Sequence, residues 1–280
     1  MQNILKIAIM AVALVTASSS QAIAIDHLIK NRYIVEADGE EVGTLFIRRS
    51  SRGEGLDELQ LEAQLRLDVG LVADLHEVTG DSTLRIGPNG IIRFDHRLKD
   101  NDLRFRIAGE RVPGGIWVSV QRVRTLKQQE DKSFVDAALQ ATSSAVPFFG
   151  LAVSLVAPKG DTSEAIPLAE FDLTEAELPQ FIASNKTGKF SVLNTEELDI
   201  NIFDLRQEGR TTVLIGESRF EATVASVIGK HTSARYWIAT DALGPFIVKI
   251  EGQDQNGKYT VRLIQHPTLP VSIHAAPFFR

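Results

Sequence analysis

The segment from Leu59 to Val69 alternates strictly between apolar and polar residues. Successive residues of a β-strand point to opposite faces of a sheet, so this spacing predicts a strand with one buried and one solvated face. A register slip of one residue would expose every apolar side chain of the segment together. The pattern therefore favours an antiparallel sheet in which one face is covered.

Three further pairs of alternating segments are joined by dipeptides typical of tight hairpins: Asp38-Gly39, Asn89-Gly90 and Asn256-Gly257. Glycine supplies the positive φ that such turns require. With the shorter alternating segments, the chain contains about ten to twelve predicted strands, at the spacing of a barrel or a sandwich. Strands do not alternate with long helices, which disfavours a parallel α/β sheet. We predict an all-β fold, an antiparallel meander forming a curled sheet or barrel-like fold.

The predicted strands fall into two halves, about 30–123 and 187–265, of a single β domain over 25–280. The connecting segment, 124–186, carries the signals of one or two short helices. Ser133 is a candidate N-cap, and residues 174–177 resemble a capping box. In the second of these helices Pro179 is tolerated only in the first turn, so that helix must be short.

The most apolar part of this connection runs from Val146 to Ala157, inside a stretch without charge from Ala137 to Pro158. A membrane-spanning helix is disfavoured because Pro147 would disrupt a helix interior. A buried strand or helix that covers the sheet and a mobile apolar lid both remain open. We predict no transmembrane span in the mature chain.

The first residues have the layout of a secretory signal peptide: a positive charge at Lys6, an apolar run from Ile7 to Ala17, and the small-residue pattern Ala22-Ile23-Ala24. The apolar run is shorter than the roughly 20 residues of a membrane anchor. We predict cleavage after Ala24, with Ala22 as the alternative. The chain contains no cysteine, which excludes disulfides and a lipid on an N-terminal cysteine. These features predict a periplasmic protein.

The chain has a formal net charge of −6, which disfavours nucleic acid and anionic lipid surfaces as general partners. Local basic clusters occur nevertheless. Their spacing by two along predicted strands places them on the solvated face of the sheet. The clustered residues are Arg48, Arg49, Arg52, Arg93, Arg97, Arg104 and Arg106.

The sequence contains no recognisable catalytic motif, and we predict no catalytic residue, no metal site and no cofactor. The six histidines include no H-E-x-x-H pair, and the segment Gly216–Phe220 lacks the second glycine of a serine nucleophile elbow. His96 has the phase of an inward-facing residue, which favours a hydrogen-bonded core histidine. A hydrolase that uses Asp95, His96 and His76 is the least favoured alternative.

Five aromatic residues are the candidates for a ligand-binding surface, because small ligands commonly bind in the apolar mouth of a barrel. Ordinary core and rim packing is the alternative explanation for them. The candidates are Trp117, Phe148, Phe149, Tyr236 and Trp237.

The segment Leu243–Tyr259 resembles the closing hairpin of a group of exported bacterial proteins of unknown function. The tripeptide Leu193-Asn194-Thr195 and the opening segment Tyr33–Arg49 fit the same pattern. The resemblance implies an antiparallel barrel-like or half-barrel envelope protein, and it implies no catalytic residue. The apolar insertion near Phe148 departs from the pattern.

Two functional hypotheses follow. The first is a non-catalytic periplasmic binding or carrier module for an apolar small molecule or lipid. The second is an accessory or scaffold protein of a cell-envelope complex, docked on a protein partner through a sheet edge or the apolar segment.

Overall fold

The computed structural model of the protein describes residues 28–52, 58–71, 74–100, 103–124, 162–196, 198–230, 232–254 and 257–267. These residues form one 15-stranded sheet with a short helix, α1, at Leu178–Ala183. Two 3-10 turns lie at Leu168–Glu170 and Glu175–Glu177. The strands are β1 (Leu28–Ala37), β2 (Glu40–Arg52), β3 (Glu58–Leu71), β4 (Asp74–Gly87), β5 (Gly90–Asp100), β6 (Leu103–Val112), β7 (Gly115–Arg124), β8 (Thr162–Pro167), β9 (Leu173–Thr174), β10 (Gly188–Asn194), β11 (Asp199–Ile215), β12 (Ser218–Ile228), β13 (Thr232–Asp241), β14 (Gly244–Asp254) and β15 (Gly257–Gln265).

The sheet consists of two antiparallel meanders joined edge to edge. Strands β1 to β8 neighbour one another in chain order, as do β10 to β15, and β1 pairs with β15 to join the two series. The two-residue strand β9 pairs in parallel with β10. The sheet is curled and unclosed, since β8 and β9 remain its two ends. The predicted all-β, antiparallel, barrel-like class is confirmed.

The turn chemistry of the predicted hairpins explains their register. Asp38 and Gly39 both have positive φ, 49° and 90°, between β1 and β2. Gly90 has a φ of 95° after the turn between β4 and β5. The first turn has positive φ at both central residues, as primed turns do, and so matches the twist of its strands. The second turn has Pro88 and Asn89 at its centre, neither with positive φ, so it is not the primed turn that Asn89-Gly90 predicts, and Gly90 follows it in the left-handed region.

The core lies on the concave face of the curled sheet. In β3, Leu61 and Ala63 are buried whereas Gln64 is exposed, as the alternation predicts. Phe94 on β5 packs against the backbone of Gly109 on β6, where an added Cβ would lie 2.2 Å from the phenylalanine Cζ. Only glycine permits so close an approach of ring and backbone.

The structure contains 15 strands, more than the predicted ten to twelve. The additional strands include β8 and β9, whose sequences are too short or too irregular to show alternation. The short helix predicted near Pro179 is confirmed: Thr174 and Glu177 form a capping box, and the proline lies in the first turn of α1.

Several predictions lie outside the described residues: the signal peptide at 1–24, the helix near Ser133 and the apolar segment Val146–Ala157. Among the residues that are described, no helix has both the length and the apolar character needed to cross a membrane.

Candidate functional site

A cavity of about 530 Å³ lies inside the curled sheet, at the level where several neighbouring strands begin or end. In an antiparallel meander alternate strand ends meet at the same edge, so the ends of β2 and β4 and the starts of β3, β5 and β14 surround this space. Pro179 and Gln180 of α1 contribute to its wall. The volume falls within the roughly 300–1,000 Å³ of small-molecule sites.

The wall of the cavity is mainly apolar and becomes polar toward the end of the strands. On β2 the inward-facing residues are Ile47, Arg49 and Ser51, in that order toward the strand end. The apolar part of the wall includes Ile47, Leu59, Leu61, Ile86, Ala176 and Phe246.

Arg49 carries a buried charge at the cavity wall, with only 3% of its surface exposed. Its Nη2 forms an ion pair with Asp241, and its Nη1 donates to the carbonyl oxygen of Gly244 at 3.3 Å. The guanidinium carbon lies 4.9 Å from the ring centre of Phe246. The charge is therefore balanced locally and held by β13 and β14.

Asp241 is the centre of this ion pair. His266 Nε2 lies 3.1 Å from the same carboxylate oxygen, and the backbone N–H of Leu243 donates to the other oxygen at 2.8 Å. Burial alone would raise the pKa of Asp241, but the hydrogen bond with His266 and the charge of Arg49 hold it below its usual value. The carboxylate thus stays ionised beside the guanidinium.

The prediction that Arg49 lies on the solvated face is wrong. Consecutive residues of a strand face opposite sides, so only one of Arg48 and Arg49 can point outward. Arg48 is the outer one and pairs with Glu62 at 3.4 Å. Arg49 continues the inward phase of Ile47, which is the sequence signal that identifies it.

Tyr33 forms part of the cavity floor. Its hydroxyl donates to the carbonyl oxygen of Ile247 at 2.9 Å and accepts from Asn31 Nδ2 at 3.2 Å. Burial raises the pKa of Tyr33 to about 12, so the hydroxyl remains a donor at neutral pH. These bonds tie β1 to β14 across the sheet.

Glu177 is an acidic group of the cavity wall that the sequence predicted only as a helix cap. Its Oε2 accepts hydrogen bonds from the backbone N–H and the hydroxyl of Thr174, at 2.9 and 2.8 Å. Its Oε1 lies against Gly90, where an added Cβ would be 2.8 Å away. Glu58, another acidic group of the wall, pairs with Arg85 at 2.5 Å.

A second buried polar group, which we call the seam cluster, lies where β9 approaches β5. It comprises Ser82, His96, Glu175, Thr195 and Glu196, all of which are buried. His96 Nδ1 lies 2.9 Å from Ser82 Oγ, and Nε2 lies 2.9 Å from Thr195 Oγ1. Thr195 donates to Glu175 through its backbone N–H at 3.0 Å and through its hydroxyl.

Burial dominates the protonation of the seam cluster. It lowers the pKa of His96 to about 3, so the imidazole is neutral. It raises the pKa of Glu175 to about 7 against the opposing hydrogen bonds from Thr195. The predicted hydrogen-bonded core histidine is confirmed at His96.

Asp95 and His96, two of the three alternative hydrolase residues, do not come together. Asp95 faces the opposite side of β5 from His96 and binds Arg106 at 2.6 Å and Arg97 at 3.1 Å. The side chain of His76 is not among those described. Within the described ranges, no group of three histidine or acidic side chains is placed to hold a metal ion.

The aromatic candidates are dispersed. Trp117 is 51% exposed on β7, and Trp237 lies between Arg235 and Lys249 at 5.1 and 5.0 Å from their cationic groups. Tyr236 is buried on the other face of β13, and burial raises its pKa. None of these three lines the cavity. Phe148 and Phe149 lie outside the described residues, and a ligand-binding role for the set stays a prediction.

Neither protein-family models nor curated proteins match the chain. Among solved structures, the chain is similar to the crystal structure of a β-barrel-like protein of domain of unknown function DUF1849 from Brucella abortus, with a TM-score of 0.53 and 8% sequence identity. The match covers 85% of this chain and 96% of the other. At this identity the likeness concerns the fold alone. The chain therefore shares a β-barrel-like fold with a protein whose own function is unknown.

Proposed function

We propose that the protein is a non-catalytic binding or carrier module that holds an apolar small molecule or lipid in the cavity. The observation that carries this proposal is the open volume of about 530 Å³, walled by leucine, isoleucine and phenylalanine side chains and by a few polar groups. A large apolar pocket with a small number of convergent polar groups is typical of ligand sites.

Packing supports a ligand site over a simple packing fault. Protein interiors are close-packed and contain few voids larger than a water molecule. The rest of the concave face follows this rule, since Phe94, Leu84 and Ile250 are completely buried. An open volume beside these densely packed residues is where a ligand fits without displacing the fold.

A matched pair of tryptophan variants tests the binding function. Leu59→Trp places an indole in the cavity, whereas Thr83→Trp places one on the exposed face of the neighbouring strand. We expect native mass spectrometry of protein purified from its own host to show a bound hydrophobic molecule on the wild type and on T83W, and none on L59W. A wild-type protein that carries no ligand and takes up no Nile red contradicts the proposal. Urea unfolding of both variants checks that each is folded.

We also propose that the chain is exported to the periplasm. The support is the charged, apolar and small-residue sequence of positions 6–24. Mass spectrometry of the cell-derived protein should give the mass of a chain that begins at Ile25. A mass that includes the first residues contradicts cleavage.

The accessory or scaffold function is the second candidate, supported by the sheet end at β8. Among the described strands β8 pairs only with β7, so its outer edge retains unpaired backbone groups. Trp117 is exposed beside it, opposite Ala165. Edges of this kind recruit strands from other proteins. A pull-down from periplasmic extract that yields a stoichiometric partner, lost in Trp117→Lys, favours this function; a solitary monomer contradicts it.

A further inference from the structure

The charges of the cavity wall differ in how they are balanced. Among the described lining residues, three are charged: Arg49, Glu58 and Glu177. Arg49 forms an ion pair with Asp241, and Glu58 forms one with Arg85. Glu177 forms no ion pair within the described part of the chain, in contrast to the other two.

One oxygen of this carboxylate is available to a ligand. Oε2 is engaged by both donors of Thr174, whereas Oε1 accepts no hydrogen bond from the described residues and is not enclosed in the core. The position of Oε1 is fixed, because the capping box holds the other oxygen and the Gly90 backbone lies behind it. The cavity thus presents a preorganised acceptor beside its apolar wall.

The nearby cations are engaged elsewhere. Arg111 approaches Gly90, but its Nη1 donates to the backbone carbonyl oxygens of Asn89 and Ile91. Among the described cationic groups of the wall, Arg49 Nε has no hydrogen-bond partner, but this atom is buried. An acceptor is therefore accessible and the strong donor is not.

We infer that the ligand of the cavity is a cationic amphiphile, an apolar chain or ring system that ends in an amine. This inference rests on the proposed binding function. The ammonium group pairs with Glu177 Oε1, and the apolar part packs against Leu59, Leu61 and Ile86. A carboxylate at the same place would face Glu177, and like charges at short range in a partly dry site repel strongly.

Three surfactants of one chain length test the charge preference: dodecylamine, 1-dodecanol and dodecanoate. Each is used below its solubility limit and, for the two ions, below the micelle concentration, at about pH 7, where the amine and the acid are charged. Displacement of Nile red, which is uncharged, reports their affinities. We expect dodecylamine to bind roughly tenfold to a hundredfold more tightly than dodecanol, because its ammonium group forms a charge-assisted hydrogen bond with Glu177 that an uncharged hydroxyl does not equal. Dodecanoate should bind most weakly.

Variants assign the preference to its residue. Glu177→Gln keeps an oxygen for Thr174 and removes the charge, so it should reduce dodecylamine to the affinity of dodecanol and leave dodecanol unchanged. Glu170→Gln, an exposed carboxylate of the same segment, should leave all three affinities unchanged. Tightest binding of dodecanoate, or an amine preference that survives in E177Q, overturns the inference but not the binding function. Failure of all three surfactants to displace Nile red overturns both.

Discussion

The seam cluster and the cavity wall both place polar side chains inside the same curled sheet, but the hydrogen bonding of these side chains differs between the two regions. At the seam, His96 has a partner on each ring nitrogen, and Glu175 receives both donors of Thr195. At the cavity, Glu177 presents an oxygen to open volume. Buried polar groups that satisfy one another hold strands in place, whereas a polar group that faces a void is available for recognition.

The position of the seam cluster explains why it is structural. Strand β9 is one end of the sheet and forms no backbone hydrogen bonds with β5. Side chains connect the two regions instead: Ser82 on β4, His96 on β5 and Thr195 in the turn after β10. The cavity lies where strand ends diverge, and the wall is completed by α1. The seam cluster, which holds the curled sheet together, is therefore a separate region from the cavity.

Removing a charge from the cavity wall should produce the largest loss of stability. Arg49→Met leaves Asp241 without its guanidinium partner, and breaking a buried ion pair costs about 3–5 kcal/mol of unfolding free energy. Arg48→Met, on the outer face with a 50% exposed side chain, should cost about 0.5 kcal/mol or less. Urea denaturation measures both. In the double variant Arg49→Met/Asp241→Asn most of the loss should be recovered; a double variant as unstable as R49M contradicts the ion-pair explanation.

Removing the ring at the seam should cost nearly as much but leave recognition intact. His96→Ala opens a hole in dense core and leaves the hydroxyls of Ser82 and Thr195 without partners, a loss of about 3–4 kcal/mol. Ser51→Ala, at the cavity wall, should cost about 1 kcal/mol or less, since it adds no void to a packed region. Nile red affinity of folded H96A should match the wild type within twofold. A tenfold loss would show that the two regions are not separate.

The pH dependence of the unfolding free energy should report the shifted pKa values of Glu175 and His96 in the seam cluster. The pKa of Glu175 rises from 4.5 to about 7 on folding, so its protonated form is favoured in the native state. Its contribution to stability is present below about pH 4.5 and is lost as the pH rises to about 7, a loss on the order of 3 kcal/mol. The pKa of His96 falls from 6.5 to about 3, so its contribution is present above pH 6.5 and is lost as the pH falls.

Glu175→Gln separates these two effects. Glutamine resembles the protonated acid, so E175Q should be more stable than the wild type at about pH 8, by on the order of 3 kcal/mol, and equally stable near pH 4.5. Between these values the unfolding free energy of E175Q should rise relative to that of the wild type, because the loss of stability that ionisation of Glu175 causes is absent from the variant. His96, Glu177 and Glu196 are common to both proteins. Urea midpoints at several pH values test this, with Glu170→Gln as the exposed control. Parallel curves for E175Q and the wild type contradict the raised pKa.

The seam cluster and the cavity were predictable from the sequence only in part. Alternation and hairpin dipeptides are local signals, and they predicted the antiparallel curled sheet and the inward direction of His96. The partners of His96 were not predictable, because Thr195 lies 99 residues away and the closeness of β9 to β5 depends on how far the sheet curls. Arg49 was predictable from the phase of β2, since it follows the buried Ile47 by two residues, although arginine side chains usually lie on the solvated face of a sheet.

The cavity itself depends on the placement of α1, which no local pattern encodes. The capping box of Thr174 and Glu177 was recognisable as a helix start. That the same carboxylate would line a cavity follows only from the packing of the helix near β14 and the turn at Gly90. Local chemistry thus identified the residue, and the tertiary structure determined its second role.

The smallest expected effect concerns the aromatic residues that the sequence singled out. Trp117→Ala removes a half-exposed ring from β7. Its strand partners, Glu110 and Ala165, do not line the cavity, so the unfolding free energy should change by about 0.5 kcal/mol or less. If the cavity is the binding site, Nile red affinity is unchanged in W117A and is lost in Leu59→Trp. Equal weakening in both variants would instead support the aromatic set as the binding surface, because the exposed Trp117 ring does not line the cavity.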